Sequence, residues 1–140
     1  MKYYPENEDS LKKIIDQYEA VSFDIWDTLI ARTVLRPEDV FSIVESRAKQ
    51  MGIEVLNFRM YRHEAVFQVV GANPNISEIY DALQKAAGIS ESTKKTLMQL
   101  EIQAESEVIV PRKKMVEILN YAVLQGKKVN LISDMYLPGE

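Results

Sequence analysis

Two short apolar runs, residues 21–25 and 129–132, constrain this chain more than any other feature in it. Both are rich in β-branched or aromatic side chains, the composition of strands buried on both faces of a parallel sheet. Each also ends in polar groups: Asp24, Asp27 and Thr28 at the close of the first, Ser133 and Asp134 at the close of the second. In open α/β sheets, ligands bind in the crevice beyond the carboxyl ends of the strands, where loop N–H groups and helix N-termini face an anion. Asp24, Thr28 and Ser133 are expected to meet there.

Between these runs the pattern is helical. Residues 37–52 open on Pro37, carry Val40, Phe41, Val44 and Ala48 inward, and close on Gly52. In the next segment Phe58, Tyr61, Ala65 and Val69 share a face, Arg59, Arg62 and Glu64 stay largely outside it, and Gly71 is the stop. Asn75 with Glu78 makes a capping-box start for an Ile76, Ile79, Tyr80, Leu83 stripe that ends at Gly88. Ser90 caps a helix with Leu97, Leu100, Ala104 and Val108 aligned. Outside this span, Leu11, Ile14, Ile15 and Tyr18 predict a helix capped by Asp9 or Ser10. Met115, Ile118, Leu119 and Ala122 predict another, between Pro111 and Gly126.

Composition excludes several chemistries. With no cysteine in 140 residues there is no disulfide, thiolate nucleophile or thiolate metal site. The net charge of −4 and the scattered basic residues give no positive stripe for nucleic acid. No run approaches the ~20 apolar residues of a membrane span, and the polar start "MKYYPENEDS" has no signal-peptide core, so a cytoplasmic protein is expected. His63, the sole histidine, sits in a charged helical context that suggests a solvated position.

The stretch "FDIWDTL" resembles motif I of the haloacid dehalogenase-like (HAD) superfamily, and "VNLISD" resembles its motif II. More narrowly, "SFDIWDTLI.R" with "EDVF" and "LISDMYLP" is similar to HAD-type hydrolases joined to glycosyltransferases in bacterial surface-polysaccharide systems. The resemblance implies an α/β fold: a partial Rossmann-like core from residues 1–34 and 111–140, with two parallel strands recognisable, and an inserted α-helical cap at 35–110. It implies hydrolysis of phosphate esters, in preference to halo-acids, through an aspartyl intermediate on Asp24. A carboxylate suits that role because it needs no base to activate it. Thr28 would steady the loop, and Ser133 with the backbone N–H of Asp134 would hold the substrate's anionic group. Asp24 and the Trp26 carbonyl would help hold Mg²⁺, a hard cation that takes oxygen ligands. Arg32 would either contact the small anionic substrate or be a solvated or glutamate-paired arginine.

Three departures from the family pattern bear on activity. Trp26 stands where phosphatases of the family carry an acid, and indole cannot protonate a leaving alkoxide. Asp27, one residue further, is expected on the opposite face if strand geometry persists. No later lysine or acidic pair follows Ser133, and Lys127 and Lys128 precede the second strand, ~17 Å from Ser133 at the rise of a strand. A two-stranded parallel ribbon also leaves both edges open. These features lead us to expect an N-terminal piece of a longer protein, or a homo-oligomer, with little activity as an isolated chain. The alternative is a non-catalytic HAD-derived binding or scaffolding module, linked to sugar-phosphate ligands or a glycosyltransferase partner.

Overall fold

The computed structural model of the chain describes residues 7–69, 71 and 73–137. The polar segment 1–6 and the Pro138 that closes "LISDMYLP" lie outside the described residues. Among the described residues the fold is mixed α/β, in the order α1 (Glu8–Asp16), β1 (Ala20–Asp24), β2 (Ile30–Arg32), α2 (Asp39–Gln50), α3 (Phe58–Gln68), α4 (Ile76–Ala87), α5 (Glu91–Val108), β3 (Ile109–Pro111), α6 (Lys113–Leu124) and β4 (Lys128–Ile132). No helix among them is long and apolar enough to cross a membrane.

Helix ends follow local chemistry. Asn75 accepts the Glu78 N–H while the Glu78 carboxylate accepts the Asn75 N–H, completing the expected capping box, and Gly88 takes the left-handed conformation (φ 65°) that stops α4. Ser90 caps α5 by accepting from Thr93 N–H. The cap of α1 is Asn7, not Asp9 or Ser10: Ser10 lies three residues past it and donates its N–H to Asn7 Oδ1 at 2.9 Å. Pro37 precedes the Glu38 cap of α2 and does not occupy the first helical position. The strands β2 and β3, three residues each, are too short to show a period.

The chain divides into two compact units, one of Met1–Ala31 with Val110–Ser133, the other of Arg32–Ile109 with Asp134–Glu140. In the first, β1 and β4 pair in parallel from Ala20↔Lys128 to Asp24↔Ile132. Phe23 and Leu29 are buried with Ile15 of α1 and with Ile118 and Ala122 of α6, and Val21 and Val129 pack against them. The expected burial of the strands on both faces is not met. Ala20, Ser22 and Asp24 are exposed, and Leu131 and Ile132 are each 57% exposed, because one helical layer covers the ribbon within this unit.

In the second unit α3 packs on α2 and α4, and α5 on α2 and α4. Val40, Val44, Phe58, Ala65, Ile79, Tyr80, Leu83, Leu97 and Ala104 form its interior. Arg62 lies there too, at 0% exposure, where sequence spacing had assigned it to the outside of α3. The spacing Phe58, Arg62, Ala65 is as helical as Phe58, Tyr61, Ala65, and a buried partner decides between them. That partner is Glu101 of α5, also at 0%, whose carboxylate accepts from Arg62 Nε at 2.7 Å and Nη2 at 2.5 Å. Tyr80 donates its hydroxyl to Glu101 at 2.7 Å, and the guanidinium stacks on Phe41, Tyr80 and Tyr136 with Cζ 4.6, 5.6 and 4.9 Å from the ring centres. One turn along α5, Glu105 accepts from Arg32 Nε at 3.0 Å and Nη2 at 3.2 Å, and from the Tyr136 hydroxyl at 3.1 Å. Burial pulls the Arg62 guanidinium down, but Glu101's hydrogen bond and charge outweigh it and the net shift is upward. Burial, then the Glu101 charge, holds the Tyr80 hydroxyl well above its ordinary value, and burial with Glu101 and Glu105 does the same at Tyr136.

Removing one member of a buried pair strands a charge, which costs about 3–5 kcal/mol, whereas replacing both with apolar groups is far milder. Glu101→Leu is therefore expected to lose stability on that scale in urea melts, and the Arg62→Leu/Glu101→Leu double variant to recover more than half of the loss. The two tyrosines set an alkaline limit. Their folded values lie above the unfolded value of about 10, so below pH ~10 their stabilisation is fully present, and above it the unfolded state releases protons that the folded state keeps. Stability is expected to fall above pH ~10 by up to ~1.4 kcal/mol per pH unit for each tyrosine, and Tyr80→Phe to make that decline shallower in melts run between pH 9 and 11.

Candidate functional site

The polar cluster expected from the first strand sits on a tight loop. Strand pairing continues one step past Asp24, with Ile25 N–H donating to the Ile132 carbonyl at 3.1 Å. The chain then turns, and Leu29 N–H and Ile30 N–H both donate to the Ile25 carbonyl, at 2.9 and 3.1 Å. Leu29, buried in the first unit's core, anchors the turn from inside. Arg112 secures it from outside, its backbone N–H donating to the Leu29 carbonyl at 2.8 Å and its guanidinium to the Asp27 carbonyl.

This loop brings Thr28 back to Asp24, and the hydroxyl donates to Asp24 Oδ2 at 3.1 Å. One carboxylate oxygen is thus oriented and the carboxylate itself stays exposed. Ser133 follows Ile132, the strand partner of Asp24, so Asp24, Thr28 and Ser133 share the carboxyl end of the β1–β4 ribbon. Lys128 pairs with Ala20 at the far end of the same ribbon. Trp26 is half-buried and bridges to Ile30.

Asp27 does not continue the strand. Its φ of 57° is left-handed, so strand alternation no longer fixes the direction of its side chain. Aspartate is among the few residues other than glycine that tolerate this conformation, through local hydrogen bonding.

Arg32 and Asp134 belong to the second unit. Arg32 takes the glutamate-paired alternative, bidentate on Glu105. Asp134 is exposed. His63 is exposed and meets Phe67 edge-on at 5.6 Å.

An octahedral Mg²⁺ takes about six oxygens, several of them from water and substrate, with one or two protein carboxylates. Asp24 and the Trp26 carbonyl would supply two, and no three His, Asp or Glu side chains converge on one point among the described residues.

Sequence reasoning missed Arg62, Glu101 and Glu105, the charged centre of the second unit. The signal was present: Leu97, Glu101, Ala104 and Val108 lie at i, i+4, i+7, i+11, which puts a carboxylate within an apolar stripe. No family model matches the chain, and no curated protein matches it either.

The left-handed loop position gives a direct test. Asp27→Gly is expected to leave the thermal midpoint unchanged or raise it slightly, whereas Asp27→Val, β-branched at positive φ, is expected to cost about 1–3 kcal/mol in thermal melts.

Proposed function

We propose that the chain carries the nucleophile and anion-holding end of a HAD-like phosphohydrolase acting on small phosphate esters. The observation that carries this reading is the Asp24–Thr28 contact at the carboxyl end of β1, one rung from Ser133. Thr28 holds Oδ2, which leaves Oδ1 to attack phosphorus. In the first step the Oδ1–P bond forms and the ester P–O bond breaks, so the alcohol leaves as an alkoxide and takes a proton from water. In the second, water attacks phosphorus, the Asp24–P bond breaks, and phosphate and the free carboxylate are regenerated. The Ser133 hydroxyl and nearby backbone N–H groups would hold the phosphoryl oxygens.

The resemblance of "FDIWDTL" and "VNLISD" to the HAD motifs supports the same assignment. A second reading, a binding module without turnover, is favoured by Trp26, which offers no acid to the leaving group.

Formation of the covalent adduct separates the two without requiring turnover. Incubated with acetyl phosphate in Mg²⁺ buffer, the chain is expected to gain the mass of one phosphoryl group on the peptide containing Asp24. Asp24→Asn is expected to gain none, and Thr28→Ala to react about tenfold more slowly, the scale of one lost hydrogen bond. An unmodified wild-type chain would remove the nucleophile assignment and leave the binding module.

A further inference from the structure

We propose that the second unit binds a small uncharged molecule, an apolar ring or branched body bearing one acceptor oxygen such as an amide or ketone carbonyl, in a pocket whose floor is Arg62. This proposal is independent of the chemistry at Asp24.

The pocket has a volume of about 230 Å³, and its wall includes Phe41, Arg62, Val66, Phe67 and Tyr136, all within the second unit. Most of this wall is aromatic or aliphatic, the composition of sites that take apolar ligands and orient them with a few polar groups. The polar group here is unusual. Arg62 is fully buried, two of its nitrogens are spent on Glu101, and Nη1 has no hydrogen-bond partner among the described residues. A buried N–H without an acceptor is costly and rare, so the native state gains whenever an acceptor arrives.

Geometry puts that N–H on the pocket side. The guanidinium is planar, and its Nε/Nη2 edge faces Glu101, which directs Nη1 away from that carboxylate. Glu101 is not part of the pocket wall, whereas Arg62 is. Phe41 and Tyr136, which stack on the guanidinium at 4.6 and 4.9 Å, are wall residues as well.

Charge selects against an anion. The wall carries Arg32, Arg62 and Glu38, and directly behind it each arginine is already matched by a buried carboxylate, Glu105 and Glu101. Two positive charges thus face three negative ones. A carboxylate or phosphate would enter a site with no positive charge to spare, while a carbonyl oxygen accepts the Nη1 hydrogen without bringing charge into it.

The test uses the full chain and three probes of similar shape, titrated while backbone amide and arginine side-chain resonances are followed by NMR. Benzamide carries ring and carbonyl, toluene lacks the acceptor, and benzoate adds a charge. Benzamide is expected to shift Arg62, Val66 and Tyr136 saturably, and toluene and benzoate to bind about tenfold more weakly or worse, the scale of one hydrogen bond to a charged donor. Val66→Trp, which fills the pocket from a half-buried wall position, is expected to abolish the benzamide response while its far-UV circular dichroism melt stays cooperative. Toluene binding as tightly as benzamide would show that the Arg62 N–H takes no part. Benzoate binding more tightly would overturn the uncharged class, and no saturable response to any probe would overturn the site. The ranking of the three probes is read on the wild-type chain, so a misfolded variant leaves the test intact.

Discussion

Burying Arg62 and Glu101 completely takes two full charges out of water, and the helices of the second unit have to compensate them on the spot. The compensation is specific in geometry. Two short hydrogen bonds align the guanidinium with the carboxylate, Tyr80 occupies a further lone pair of Glu101, and three aromatic rings surround the cation. Such a pair adds little net stability compared with leucines of similar volume. It does restrict how α3 and α5 can meet, since any shift of one helix along the other would leave both charges unpaired in a medium that cannot solvate them.

The first unit is organised by backbone instead of charge. A parallel ribbon of two strands has few hydrogen bonds, so the loop after β1 carries much of the order at its carboxyl end. Leu29 fills the core beneath, two N–H groups close on the Ile25 carbonyl, and Arg112 holds the Asp27 carbonyl from outside. Thr28 can reach Asp24 because Asp27 reverses the chain in the left-handed region. The orientation of the carboxylate therefore depends on a backbone conformation that most side chains would resist.

Much of this could be read in the residues. The helices declared themselves through caps and apolar spacing, most plainly the Asn75–Glu78 box and Gly88, and the strands through β-branched runs ending in polar groups. The register that sets Asp24 beside Ile132 comes from the structure. What periodicity could not supply was which of two equally spaced faces of α3 turns inward, because Arg62 and Tyr61 fit a helical stripe equally well. The choice lies with Glu101, 39 residues away: its place in the apolar stripe of α5 signals a buried carboxylate but does not name the partner it pairs with. The exposed face of the ribbon was misjudged for a related reason: strand composition reports a propensity to be covered, and whether a second layer exists is decided elsewhere in the chain.

The two buried glutamates of α5 allow a comparison that bears on where a ligand belongs. Glu101 and Glu105 lie one helical turn apart, and each receives an arginine in fork geometry and a tyrosine hydroxyl. Arg32 and the Tyr136 hydroxyl both donate to Glu105, so this carboxylate finds its donors within the second unit. Arg62 repeats the arrangement deeper in the unit but keeps one nitrogen unspent. Satisfying Glu101 needed only two of the guanidinium's nitrogens, and a third polar side chain beside Nη1 would have completed the network and filled the space. The second unit instead keeps aromatic and aliphatic groups there and an opening in front of them. An unsatisfied buried donor behind a largely apolar wall marks a place where local rules of packing are broken, and such breaks concentrate at sites of function.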